Sequence, residues 1–468
     1  ADAAGRLVER FSQTSNATGT PEESERDHER RVRVGAALLQ LDNGEPVWTA
    51  LAEAAPADPS FRTHLIHGLP AVGTPARVLL DRLTAETDSA IRPAIFSALG
   101  EYDPVMLPQS TRDIWQPVLL ELLRNEPDAG TRSMVEWLLR HWGYGETVDA
   151  VLQELAVAGQ VPGREWHVTP SGITMIQITG PVDFQMGTTD PNYSGFLSPP
   201  HHRRIPRSFW IATRPVLLRE AAEFPGVSAS PNWAPNLAPE TPALLLSQAD
   251  ARRFCNWLSR REGIAEDQLC YLDAEGGHPM PKANHLNLSG YRLPTEAEWE
   301  FTARAGSTNR FHFGETETHL AKYVWHDLNS EGLQHAALLR PNALGLFDTL
   351  GNADQWCDVP FVPYPTNTTA AAPAIDGYEY AAGAEATRFA ALRTATGDEL
   401  STPLLVDWAH RGGSVLTHPR FLGSTLRDAS GPRVIHQYIT VRLVRSIPFP
   451  ATSRSDLKGN PNPTDPSL

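Results

Sequence analysis

Gly290-Tyr-Arg-Leu-Pro-Thr-Glu-Ala-Glu-Trp-Glu-Phe-Thr-Ala-Arg-Ala-Gly306 is the stretch whose reading decides the fold. Thr295 and Glu298 stand three apart, the spacing at which each side chain satisfies a free backbone N–H at a helix start. Trp299 and Thr302 then fall on one helical face, and Gly306 is placed to end the helix. A capped amphipathic turn is common, so this much predicts a helix and nothing more.

Outward from it, Ser247 to Arg261 has Ala251, Phe254, Cys255 and Leu258 on one stripe and predicts a second helix, with Cys255 a small buried hydrophobe. Ile173-Thr-Met-Ile-Gln-Ile178 alternates as a strand does, and Phe184-Gln-Met-Gly187 follows. Pro200-His-His-Arg-Arg-Ile-Pro-Arg-Ser-Phe209 reads as a solvated edge strand. Downstream come Asn342-Ala-Leu-Gly-Leu-Phe-Asp348, Gly351-Asn-Ala-Asp-Gln-Trp356 and Arg411-Gly-Gly-Ser414. Between the last two, residues 361–409 are rich in Ala, Pro and Thr and predict a long surface excursion.

Together these blocks closely resemble R-L-P-T-E-A-E-W-E, F-x-M-G, P-N-x-x-G-L-x-D, G-N-x-W-E-W and R-G-G-S of the formylglycine-generating, sulfatase-modifying-factor family, from about residue 164 to 448. The resemblance implies a mixed α/β, C-type-lectin-like fold with little regular structure. Members that oxidise a substrate cysteine to formylglycine carry R-G-G-S-x-x-C-x-x-x-x-C, whose two thiolates hold copper(I), a soft ion. Thr417 and Leu422 stand at those positions, so copper is not expected. Cys357, after Trp356, is read as a packed thiol. The family's iron-dependent sulfoxide synthases take a histidine-rich site from an added helical bundle. No H-x-x-x-H-x-E occurs in this chain, and His64 and His67 read as surface or half-buried histidines.

The resemblance also implies a possible calcium site: the Asp348 side chain, the Gly351 and Ala353 carbonyls, and Gln355 where relatives have Glu. Glutamine keeps an oxygen and removes a charge. A loop pinned by hydrogen bonds from Asp348 and Asn352 is the equal alternative. A second calcium site of some relatives places Asn where Tyr323 stands, and it is not carried over. Arg214-Pro215-Val216 replaces the relatives' E-V-T and is expected to disturb its strand. Arg411, Ser414, Thr417, His418 and Arg427 are the candidate lining of a polar pocket, or else a buried network that locks irregular loops.

Ahead of this block, Asp58 to Arg62, Asp88 to Arg92 and Asp128 to Arg132 share D-x-x-x-R, with Asp27 to Arg31 a looser copy. Apolar residues follow each Arg at helical offsets. An Asp at a helix start accepts backbone N–H bonds, and Arg one turn on can pair with it. The expected organisation is α+β: a flexible lead-in over 1–26, HEAT-like helical repeats over 27–160, the family domain over 164–448 and a flexible tail over 449–468. The arrangement resembles certain bacterial multidomain proteins, some with a serine/threonine kinase upstream. With no starting Met, the chain reads as a trimmed piece.

A net charge of −15 over 468 residues argues against nucleic acid, since phosphate binding needs a basic face. No apolar run approaches the ~20 residues of a membrane helix. Three scattered cysteines are too few for a disulfide framework, and a cytoplasmic location is expected. The functional expectation is a degenerate, non-catalytic module that binds a protein or peptide partner. The alternative is an oxidoreductase using other ligands.

Overall fold

The polar opening of the chain is helical. In the computed structural model, which describes residues 3–13, 20–53, 57–189, 198–225, 237–244, 247–273, 278–362, 364–365, 368–376, 407–431, 433–434 and 437–447, α1 (Ala3–Ser12) buries Phe11 and α2 (Pro21–Gln40) starts at a capping box of Thr20 and Glu23. The lead-in expected over 1–26 is corrected accordingly. Its polar residues form the outer faces of helices anchored by Phe11, whose carbonyl accepts from Arg31 Nε at 2.9 Å.

There follow α3 (Glu45–Glu53), α4 (Ser60–Ala71), α5 (Ala76–Leu83), α6 (Ile91–Leu99), α7 (Gln109–Asn125), α8 (Ala129–His141) and α9 (Gly145–Ala158). Helices α2, α4, α6 and α8 pack in a row. Three of the four D-x-x-x-R aspartates sit at helix starts. Asp58 Oδ1 accepts from Ser60 N at 3.0 Å, Asp88 Oδ1 from Ala90 N at 2.7 Å and Asp128 Oδ1 from Thr131 N at 2.7 Å. The arginines do not turn back to them. Arg62 donates to Ala90 O at 2.7 Å and Arg92 to Glu126 at 2.6 Å, each reaching the next helix start, while Arg132 pairs with Glu136 at 2.6 Å on its own helix. Asp27 is mid-helix in α2 and pairs with Arg30, so the fourth copy is no cap.

The remainder is sheet-rich, in short pieces. Its elements are β1 (Trp166–Val168), β2 (Thr174–Ile178), β3 (Val182–Met186), β4 (His201–Ile205), β5 (Phe209–Ala212), α10 (Leu218–Ala221), α11 (Gln248–Arg261), β6 (Tyr271–Leu272), β7 (Met280–Pro281), β8 (Tyr291–Arg292), α12 (Glu296–Arg304), β9 (Asp354–Pro360), β10 (Ala374–Ile375), β11 (Trp408–Arg411), β12 (Arg427–Ser430), β13 (Ile439–Thr440) and β14 (Val444–Ser446). Three sheets run β1-β2-β5-β14-β8, β10-β4-β3 and β12-β11-β9-β13, and β6-β7 is a separate ribbon. β4 is a central strand, not a solvated edge. Arg203 and Arg207 are buried there and pair with Asp376, which follows β10. That acid lies in the Ala-, Pro- and Thr-rich segment, of which residues 377–406 fall outside the described residues, as does the tail over 449–468.

One apolar cluster joins the two parts, running from Phe11, Val32 and Trp137 through Trp166 to Ile176, Phe209, Phe347 and Val444. Trp166 Nε1 donates to Glu126 O at 2.6 Å and Trp137 Nε1 to Leu338 O at 3.1 Å. The backbones themselves touch: a Cβ on Gly130 would lie 2.2 Å from Ala343 O, and one on Gly345 (φ 88°) would lie 2.7 Å from Ala129 O. Among the described residues no helix is long and apolar enough to cross a membrane.

Candidate functional site

Helix α12 sets the geometry of the site. Thr295 Oγ1 accepts from Glu298 N at 3.1 Å and Glu298 Oε2 from Thr295 N at 3.0 Å, the expected capping box; the helix ends at Ala305 in the left-handed region. Because the whole helix is buried, its three glutamates become internal anions. Glu298 holds Arg292 at 2.6 Å and Arg207 at 2.7 Å, Glu296 holds Arg427 at 2.6 Å, and Glu300 takes Arg304 at 2.9 Å together with Arg411. Both guanidinium groups and the backbone N–H bonds of the cap keep the Glu298 carboxyl ionised against a strong burial penalty.

This arrangement decides the candidate pocket. Arg411 is buried, with Glu296, Glu300, Tyr364 OH and Ser424 O around it, and Arg427 adds Val362 O at 3.0 Å. Both arginines belong to a locked network and do not line a cleft. Ser414 is buried in a turn in which its N–H donates to Thr417 Oγ1 and Thr417 N–H returns to Ser414 O, both at 3.0 Å. His418 Nδ1 accepts from Arg420 N at 3.3 Å as the cap of a short 3-10 turn. Leu422 is fully buried among Trp299, Phe311 and Cys357. The two vestigial positions still face each other: a side chain on Gly413 would meet Leu422 Cδ2 at 2.8 Å and Thr417 Oγ1 at 3.0 Å. One is a hydroxyl spent on a turn and the other a hydrocarbon, which offers a soft metal nothing. Cys357 shares the apolar cluster of Leu422, its thiol pushed well up by burial.

Of the groups named for a calcium site, the Asp348 and Gln355 side chains are engaged in hydrogen bonds. Asp348 Oδ2 accepts from Ala337 N at 2.7 Å, and Asn352 bonds the same carboxylate. Gln355 Oε1 accepts from Trp299 Nε1 at 2.9 Å and Arg442 Nε at 2.7 Å, while its Nε2 donates to Asp348 O at 2.6 Å. Gly351 N donates to Gly412 O at 2.9 Å, and Ala353 is buried beside it. Arg442 also enters this loop, donating to Phe347 O at 2.6 Å and Asp348 O at 3.1 Å. Arg214, at the E-V-T departure, is held by Glu220 at 2.7 Å, and the same glutamate accepts from Leu217 N, so the segment is closed rather than disturbed.

Two features were not legible in the motifs. The first is a cleft of about 650 Å³ beside β3, lined by Asp183, Phe184, Gln185, Arg304, Arg310 and Thr425 among others. β3 is the outer strand of its sheet, and Arg310 reaches across to Leu422 O at 2.9 Å, placing the cleft behind the vestigial centre. The second is a histidine cluster on the seam between the two parts. His64 and His67 are buried, not on the surface, and meet rings the sequence keeps far apart: His28–His64 tilted at 4.9 Å, His64–His319 edge-on at 4.9 Å and His67–His319 stacked at 4.6 Å between ring centroids. His67 also bonds Glu101 and Tyr323 OH, each at 3.0 Å. Burial holds His28 and His67 neutral to about 4 and His319 to about 3. Their helical spacing marked α4, but nothing local pointed to His319.

Residues 167–447 match the family described as Sulfatase-modifying factor enzyme 1-like domain. The chain is 26% identical over 216 residues to the formylglycine-generating enzyme of Mycobacterium tuberculosis, covering 37% of this chain and 72% of that one. To the formylglycine-generating enzyme of Streptomyces coelicolor it is 33% identical over 130 residues, 24% of this chain and 40% of the relative, less than half the relative's length. PvdO from Pseudomonas aeruginosa superposes with a TM-score of 0.44 at 19% identity, over 62% of this chain and 100% of that one.

Proposed function

The chain belongs to the sulfatase-modifying factor family, and from that premise we propose that it is a non-catalytic member which holds an extended peptide segment in the cleft beside β3. The observation that carries the reading is the pair Thr417 and Leu422, where copper chemistry needs two thiolates. The cleft supports the binding half. Its volume of about 650 Å³ lies within the usual range for ligand sites, and among the described residues no strand pairs with the outer edge of β3. An extended chain adds to such an edge through backbone hydrogen bonds, with alternate side chains reading the wall. Asp183, Gln185, Arg304 and Arg310 give that wall both signs of charge, and Phe184 and Phe301 give it apolar surface.

Two measurements test the halves separately. Incubation with copper(I) and a C-x-P-x-R peptide should leave the cysteine unoxidised, and aldehyde formed at a protein-dependent rate would end the non-catalytic reading. A degenerate library of fluorescent peptides should yield binders whose anisotropy signal is lost in Gln185→Trp, a change on the exposed face of β3. Binding that ignores Gln185→Trp, or no binding at all, would end the peptide reading.

A further inference from the structure

A second cavity, of about 200 Å³, lies between the helices and the sheet-rich part, with Arg62, Ile66, Pro93, Met134, Phe313 and Tyr323 in its lining. Arg62, half-buried, is the charged member of that lining. The buried Arg132, Arg207, Arg252, Arg292, Arg340 and Arg411 each pair with a carboxylate, and the buried Arg112 and Arg442 are held by two or more backbone carbonyls. Arg62 has no carboxylate partner among the described residues. It uses one N–H on Ala90 O at 2.7 Å, and the ionisable group that acts on it is the Tyr323 phenol. A guanidinium has five N–H donors, and the rest of those on half-buried Arg62 are left for whatever enters the cavity. The helix starts beside the cavity are already served by Asp58, Asp88 and Asp128, so the donors on offer are those of the guanidinium.

The rest of the lining says what kind of anion fits. Ile66, Pro93, Met134 and Phe313 form an apolar wall beside the polar Thr63, Ser89 and Asn342, and a bare inorganic oxyanion makes no use of that wall. At ~30 Å³ per water the space is that of about six or seven waters, the size of a short organic acid. We propose that this cavity binds a small monocarboxylate with a short apolar tail, its carboxylate on Arg62 and its tail against the apolar wall. Carboxylate and guanidinium match as a two-point pair. Because Arg62, Ile66 and Met134 come from the helices while Phe313 and Tyr323 come from the sheet-rich part, a bound acid bolts the two together. Binding to the folded state alone then raises the melting temperature in step with ligand concentration.

The test uses the full chain with hexanoate, hexanol and inorganic phosphate, read by calorimetry and thermal unfolding. Hexanoate should bind one to one and raise the melting temperature, hexanol and phosphate should do neither, and Arg62→Gln should weaken hexanoate at least tenfold. Should Arg62→Gln fail to fold, Met134→Trp, which fills the cavity and leaves Arg62 in place, should show the same loss. Gln185→Trp should leave hexanoate binding unchanged, so this site and the β3 cleft stand or fall separately. No heat with hexanoate, an equal response to hexanol or to phosphate, or unchanged binding in the variants would overturn the proposal.

Discussion

The surroundings of α12 and the seam at α4 are both buried and both polar, yet they are built on opposite plans. Around α12 each of Glu296, Glu298 and Glu300 meets at least one guanidinium. On the seam the ring nitrogens His28 Nδ1, His64 Nε2 and His319 Nε2 have no partner among the described residues. Paired full charges resist change, because removing one partner strands the other in a dry interior. Neutral imidazoles are stable only while they remain neutral. The same protein therefore keeps a rigid centre around α12 and a conditional one where its two parts meet.

The comparison breaks most sharply at Glu298. Glu298→Ala leaves Arg292 with no carboxylate within reach and also removes the cap on Thr295 N, so urea unfolding should show a loss of about 3–5 kcal/mol. A loss under about 1 kcal/mol would mean that water enters and the network is no anchor.

Acid should act on the seam and spare the α12 network. His28, His67 and His319 titrate near 6.5 when unfolded and at about 4, 4 and 3 when folded. The unfolded chain therefore binds more protons between those values. Their contribution is complete above pH 6.5 and falls away as pH drops toward 4. The groups facing them temper this: Asp27 and Asp58 favour charge on His28 and Glu101 favours it on His67 and His319, while Arg31, Arg340 and Lys322 oppose it. Melting temperature measured from pH 7 to pH 4 should decline, and His319→Phe should flatten the curve. A parallel curve in His319→Phe would remove the cluster from the explanation.

Helix starts sharpen the contrast. The Arg92 and Glu126 side chains are 16% and 6% exposed, so Arg92→Ala strands a buried acid at a cost that approaches ~3 kcal/mol. Asp88→Ala loses one exposed cap bond, worth about 0.5–2 kcal/mol. The sequence alone, with both taken as exposed, gives the reverse order. Denaturation of the two variants decides between them.

Asp348→Ala should cost about 1–3 kcal/mol for the stranded Ala337 N–H. A chelator should leave the wild-type melting temperature unchanged. A chelator-induced drop that Asp348→Ala abolishes would decide for the calcium reading against the hydrogen-bonded loop.

What could be read from the sequence was local. The α12 capping box, the Asp128 cap, the α11 stripe and the alternation of β2 each depend on residues within a few positions of one another. The partners of Arg411, Arg203 and His67 lie 111, 173 and 256 positions away, and no spacing rule reaches that far. Arg203 looked solvated for that reason, and Arg411 looked available. A usable signal was present: Glu296 and Glu300 stand one turn apart on one helix, and once that helix is buried two acids require cations from elsewhere.

The contact of Gly130 with Ala343 O and of Gly345 with Ala129 O has a further bearing, on ancestry. Neither position tolerates a side chain unless the other backbone withdraws. A helical segment borrowed from another protein would have to arrive with its own glycine in register. The two parts thus fit only as a matched pair, and residues 167–447 hold just one of the two glycines. Relatives that share this history should carry glycine at both places, whatever stands at Thr417 and Leu422.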